Sequence, residues 1–231
     1  MQNLLPENQI VIKEKMVNNA LGEDQTIPTD SIEPVVYVVD DMEQVLQVIR
    51  MVLGKEGIQV ETFESGEDFL ALEKISPVGC VILDNQMPGM TGLDVQAELN
   101  KRGSNIPVVF ISGASRYEEV VDAVREGAMH FMQKPFTHSE LIEHVQNAID
   151  ESRRRLVSTG KSSRNKSLIN TLTTRERQVY DLVTDGLTNR AIAEELNISN
   201  GTVEFHRANM MKKLEAKSLA NLMEIKQSLG E

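Results

Sequence analysis

Between residues 35 and 150 the chain repeats one pattern five times: a short apolar run, then a segment with helical spacing. The runs are Val35–Val39, Gln59–Phe63, Cys80–Leu83, Pro107–Ile111 and His130–Gln133. Met42 to Lys55 follows the first, with Val45, Val48, Ile49, Val52 and Leu53 three and four residues apart, which predicts a helix. Helices are also predicted from Ser65 to about Lys74, from Thr91 to Leu99, from Tyr117 to Glu126, and from Thr137 or Ser139 through Ile149. Strands that alternate strictly with helices require a parallel sheet covered on both faces. The expected fold is a doubly wound α/β domain of flavodoxin-like strand order 2-1-3-4-5.

Four of the five runs end on polar residues: Asp40-Asp41, Asp84, Ser112 and Lys134. Parallel α/β sheets place their chemistry at the carboxyl ends of the strands. Taken alone, Asp84 has two readings. It is either the cap of the turn Met87-Pro88-Gly89-Met90 or a reacting group. Three carboxylates at one place repel one another unless a cation sits among them, and hard oxygen donors suit Mg2+. Asp84 could then attack a phosphoryl group and form an acyl phosphate, with Ser112 and Lys134 binding its oxygens. A site that only holds a structural ion is the bland alternative. A phosphohydrolase with an Asp-x-Asp nucleophile is disfavoured, because Asp84 is followed by Asn85 and Gln86.

The rest of the chain differs in texture. Residues 1–33 show no sustained period and read as a disordered extension. Residues 151–167 contain Arg153, Arg154 and Arg155, then Ser, Thr, Gly and Lys, which reads as a basic flexible linker. From 168 to 231 the pattern is helical throughout. Thr173 or Thr174 reads as one N-cap and Thr188 as another, Asn197-Ile198-Ser199 forms a tight turn, and a helix starts at Asn200. A short helix, a tight turn and a second helix make a helix-turn-helix.

Charge separates these segments. The whole chain carries −11. Residues 34–150 hold eight Lys/Arg against nineteen Asp/Glu, whereas residues 166–231 hold nine of each. A neutral module that binds DNA must segregate its charges by face or act in pairs. No apolar run approaches the roughly 20 residues that span a bilayer, and the N-terminus lacks a secretory pattern. The single cysteine, Cys80, falls in an apolar run and reads as a core thiol. A cytoplasmic location without membrane contact is expected.

These residues carry two family resemblances. Residues 34–150 resemble a receiver domain of two-component response regulators, through Asp40-Asp41, Asp84, Met87-Pro88-Gly89, Gly92, Ser112 and Lys134-Pro135-Phe136. Leu172-Thr-Thr-Arg-Glu-Arg177, Gly186 to Ala193, Leu196 to Ser199 and Thr202 to Arg207 resemble a LuxR-type DNA-binding domain. Together the architecture is similar to the NarL/FixJ class, its FixJ-like branch in particular. The receiver resemblance implies that Asp84 is the phosphoacceptor. It also implies Mg2+ bound by Asp41, Asp84 and the main-chain carbonyl of Gln86, with Asp40 acting through water. Phe131 would change rotamer with Ser112, Gly113 would admit phosphodonors, and the Lys134–Pro135 bond would be cis.

On the recognition helix, Val203 and Met210 are expected to face the domain core with Ile192, Leu196 and Ile198. Glu204, Phe205, Arg207 and Ala208 are expected nearest the bases, Arg and Glu being natural partners of guanine and cytosine. Asn200, Thr202, Lys212, Lys213, Arg190 and Thr188 are expected at phosphates. His206 reads as a packing or capping residue. The expected function is a phosphorylation-controlled transcription regulator that is not an enzyme. Its expected partners are a sensor histidine kinase, double-stranded DNA, RNA polymerase and a second copy of itself. A receiver that docks partners, with vestigial DNA binding, is the alternative.

Overall fold

A computed structural model of the chain describes residues 29–113, 125 and 127–230. Strands β1 (Val35–Val39), β2 (Gln59–Phe63), β3 (Gly79–Asp84), β4 (Val108–Ser112) and β5 (His130–Gln133) form one parallel sheet in the order β2-β1-β3-β4-β5. This is the flavodoxin-like arrangement expected from the alternation. β1, β3 and β4 are buried along their whole length, as continuous apolar runs require when both faces are covered. Cys80 lies in β3, and burial pushes its thiol up to about 12.

Helices α1 (Glu43–Lys55), α2 (Gly66–Leu70) and α3 (Gly92–Lys101) follow the first three strands. Leu46, Ile49, Val52 and Leu53 form the buried stripe of α1. Thr91 caps α3 through a reciprocal box with Asp94. α2 is shorter than the spacing predicts. Beyond Leu70 the chain turns, and Leu72 and Ile75 pack against the core around Phe69, Tyr37 and Leu99. The phenol oxygen of Tyr37 accepts the Ser76 amide at 2.8 Å. All of the helix expected from Tyr117 to Glu126 except Arg125, and most of the expected N-terminal extension, lie outside the described residues.

The chain divides into two compact units, Met1–Arg153 and Arg154–Glu231. The clearest departure from the sequence reading lies at their junction. Residues 151–167, expected as a flexible linker, are helical, within α4 (His138–Asn170). The composition there is linker-like, but the second unit holds the segment. Ser162 Oγ donates to the Ser228 carbonyl at 2.8 Å, Asn165 Nδ2 to Ser228 Oγ at 2.7 Å, and Ile169 enters the core. Tertiary contacts of this kind outweigh weak intrinsic propensity.

Four further helices complete the second unit: α5 (Thr174–Thr184), α6 (Asn189–Leu196), α7 (Asn200–Lys213) and α8 (Leu219–Ser228). Thr173, Thr188, Ser199 and Ser218 each cap the helix that follows. Asn197 adopts a left-handed conformation at φ 51° between α6 and α7. Val203 and Met210 of α7 are fully buried beside Ile192, Tyr180 and Leu214, with Leu196 and Ile198 packed against them. On α8, Leu222 and Ile225 are buried while Leu219 and Met223 are exposed.

Candidate functional site

The sheet order brings the carboxyl ends of β1 and β3 side by side, with β4 and β5 next to them. Asp40, Asp84 and Ser112 are therefore drawn to one end of the sheet, and all three are buried. Asp41 is exposed at the rim. Lys134 follows β5 directly and precedes a cis Lys134–Pro135 peptide, and its amide donates to the Ser112 carbonyl at 2.8 Å.

The charges in this pocket are closely matched. Lys134 Nζ lies 2.6 Å from Asp40 Oδ2 and 3.4 Å from Asp84 Oδ2. Asp40 Oδ1 accepts the Met42 amide at 2.9 Å. One ammonium thus serves two buried carboxylates, and Asp84 remains under-compensated. Its Oδ1 is buried without a hydrogen-bond partner, and so is the Ser112 hydroxyl. Burial raises the Asp84 carboxyl above the ordinary range, chiefly by desolvation. Lys134 opposes the rise, Asp40 adds to it, and the Gln86 backbone N–H lowers it by donating to the carboxylate.

Carboxylate oxygens of Asp40, Asp41 and Asp84 lie within 4.8 Å of one another. An all-oxygen donor set with an orphaned buried oxygen fits a small hard divalent cation. Gln86 is exposed next to this set.

Two features hold the loop after Asp84. Gly92 has no room for a side chain, since a Cβ there would lie 2.5 Å from the Asp84 carbonyl oxygen and 2.8 Å from the Phe110 ring. Glu67 of α2 accepts the Met90 amide at 3.2 Å. The Glu67 contact had no signal in the sequence beyond an acidic residue in a first helical turn. Phe131, half-buried, stacks on Phe110 with centroids 6.4 Å apart. Gly113 is exposed, with nothing near its missing side chain.

In the second unit the candidate nucleic-acid surface is the face of α7 opposite Val203 and Met210. Asn200, Glu204, Phe205, Ala208 and Lys212 are exposed on it, Phe205 at 63%. Thr188 and Arg190 are exposed on α6, where Arg190 pairs with Glu194 at 3.2 Å. The remaining candidates are engaged within the domain. The Thr202 hydroxyl shares a 2.8 Å hydrogen bond with Ser199. Arg207 Nη1 donates to Asn189 Oδ1 at 2.7 Å, which fixes the guanidinium against α6. Lys213 turns back to Glu176 at 2.6 Å and to the Thr171 carbonyl at 3.2 Å. The half-buried His206 ring lies 5.6 Å from that of Phe205.

A five-stranded sheet of this order with an acidic pocket at its switch point, followed by a capped helix-turn-helix, defines a class of signalling protein. Residues 36–146 match the response regulator receiver domain, and residues 170–225 match the luxR family of bacterial regulatory proteins. The chain belongs to the response regulators that join these two domains, and it is a DNA-binding two-component regulator. It is 36% identical over 197 residues to the response regulator protein TodT of Pseudomonas putida, covering 85% of this chain and 87% of that one. The transcriptional regulatory protein FixJ of Rhizobium meliloti is 36% identical over 188 residues, covering 81% and 92%. Among solved structures, the response regulator StyR superposes with a TM-score of 0.70 at 37% identity, covering 84% of this chain and 98% of StyR. No helix among the described residues is long and apolar enough to cross a membrane.

Proposed function

We propose that Asp84 accepts a phosphoryl group from a sensor histidine kinase and that this controls binding of the 168–231 segment to DNA. The observation that carries the reading is the pair of buried, unpartnered oxygens, Asp84 Oδ1 and Ser112 Oγ, beside the Lys134 ammonium. Asp84 Oδ1 attacks the phosphorus of the phosphohistidine. The P–N bond breaks, the imidazole leaves with the electron pair, and an acyl phosphate remains on Asp84. Mg2+ bound by Asp40, Asp41, Asp84 and the Gln86 main-chain carbonyl would neutralise charge on the transferring group.

The new group brings roughly −1.5 to −2 of charge. Ser112 Oγ donates to one of its oxygens and Lys134 Nζ pairs with another. Phe131 then repacks towards the space Ser112 leaves, and the receiver 34–150 favours a homodimer. A nearly complete switch needs about 5.5 kcal/mol of differential free energy. A charge-assisted network plus dimerisation is of the right size to supply it. Pairing two neutral modules also answers the charge balance of residues 166–231. Glu204, Phe205, Arg207 and Ala208 read bases, while Thr188, Arg190, Asn200, Thr202 and Lys212 position the helix on phosphates. Lys213 would join them only by releasing Glu176. The output is transcription by RNA polymerase in the cytoplasm, and the protein turns over no outside substrate.

Borohydride reduction of the protein after labelling with a small phosphodonor in Mg2+ tests the acceptor. An aspartyl phosphate becomes homoserine, expected at position 84. Homoserine at position 40 or 41, or none at all, would refute the assignment.

A further inference from the structure

The carboxylate pocket leaves one group of titratable side chains unused. His130 opens β5 and His144 lies in the second turn of α4, and their ring centroids are 4.6 Å apart with planes tilted by 47°. His130 Nε2 and His144 Nδ1 are both buried, and neither has a hydrogen-bond partner. A packed histidine ordinarily satisfies its ring nitrogens, because a buried polar atom left without a partner has lost its hydration and gained nothing in return. Two orphans on adjacent rings call for a third body between or beside them.

We propose that His130 and His144 form a two-imidazole site for a borderline divalent transition-metal ion of the Zn2+, Ni2+ or Cu2+ class, distinct from the carboxylate pocket. The spacing suits it. With metal–nitrogen bonds of about 2.1 Å and each ring centroid about 1.1 Å behind its nitrogen, two imidazoles on one ion in a right-angled to tetrahedral arrangement put their centroids about 4.5–5.2 Å apart. The observed 4.6 Å falls in that range. Imidazole nitrogen selects these ions over Mg2+, which prefers the oxygen set of Asp40, Asp41 and Asp84. Burial and, after it, the neighbouring His144 hold His130 below the usual imidazole range, opposed by Glu143. Its neutral, ligating form therefore prevails near neutral pH. Glu143 and Glu140 lie close enough to act electrostatically on the two rings, and both are exposed, so the surroundings favour a cation. Water would complete the coordination. An ion there ties the first residue of β5, next to Phe131, to the helix packed over it.

Zn2+ titration of the full-length protein by calorimetry, with Mg2+ in large excess to hold the acidic pocket, tests the site. One equivalent is expected. His130→Gln and His144→Gln should each weaken it by more than about tenfold, since loss of even an outer-shell partner costs about 10–100-fold. His138→Gln and His206→Gln remove the two other histidines of the chain and should leave it unchanged. Cu2+ in place of Zn2+ should give an electron paramagnetic resonance spectrum with two coupled imidazole nitrogens, reduced to one in either ligand variant. Mg2+ binding, read in parallel, shows that the variants remain folded. Absence of Zn2+ binding, binding that survives both ligand substitutions, or loss in His138→Gln would overturn the proposal.

Discussion

Replacing Lys134 by Met tests the electrostatics of the carboxylate pocket most severely. The substitution keeps most of the apolar stem and removes the charge. Lys134 Nζ is 2.6 Å from Asp40 Oδ2 and 3.4 Å from Asp84 Oδ2, and both carboxylates are almost fully buried. At an effective dielectric of about 20 these distances correspond to attractions of about 6 and 5 kcal/mol. Desolvation of the ammonium offsets much of that, and removing one partner of a buried pair costs about 3–5 kcal/mol in practice. The opening free energy read by hydrogen exchange at β3 and β4 amides should therefore fall by about 3–5 kcal/mol without divalent ions. Mg2+ at about a hundred times the parent's Kd stabilises the parent by about 2.7 kcal/mol, and the variant is compared at that same concentration. The variant should gain more than the parent, because the cation then stands in for the lost ammonium. A loss below about 1 kcal/mol, or equal Mg2+ gains in both proteins, would show that Lys134 does not compensate these carboxylates.

Three other outcomes follow from local geometry. Gly92→Ala should cost about 1–3 kcal/mol and slow Asp84 phosphorylation, because its Cβ meets the Asp84 carbonyl and Phe110; unchanged melting and labelling would contradict this. The hydrogen bond from Lys213, followed by those from Thr173, holds the Glu176 carboxyl below the ordinary range. Its stabilisation is thus present above the unfolded value of about 4.3 and is lost as pH falls through the lower folded value. Glu176→Gln should flatten that acid limb in denaturation of the 154–231 unit, and an unaltered limb would count against the pairing. Arg207→Ala should abolish sequence-specific footprints, whereas Asn189→Ala, which only frees the guanidinium, should weaken them less. Equal losses would make Asn189 a direct contact.

Much of this was legible in the residues. Buried parallel strands announce themselves as unbroken apolar runs, so β1, β3 and β4 were readable, and the polar residues ending them marked the pocket. Capping threonines marked the starts of α5, to within one residue, and of α6, because each satisfies an orphan amide locally, whereas Ser199, the cap of α7, read only as part of a turn. What depended on distant partners was not legible. Residues 151–167 look like a linker, and contacts with distant residues, such as Ser152 with Gly79 and Ser162 with Ser228, hold them helical. Lys213 reads as a phosphate ligand until Glu176, 37 positions away, is seen to hold it. Nor does His130 predict His144, because the pairing of β5 with α4 is tertiary.

Coupling between Asp84 and DNA is read in the affinity of the full-length protein for a selected DNA site before and after phosphorylation, beside Asp84→Asn. Phosphorylation should tighten binding at least about tenfold, a coupling of about 1.4 kcal/mol, with no response in Asp84→Asn. Equal affinity in both states, or a full response in Asp84→Asn, would contradict it.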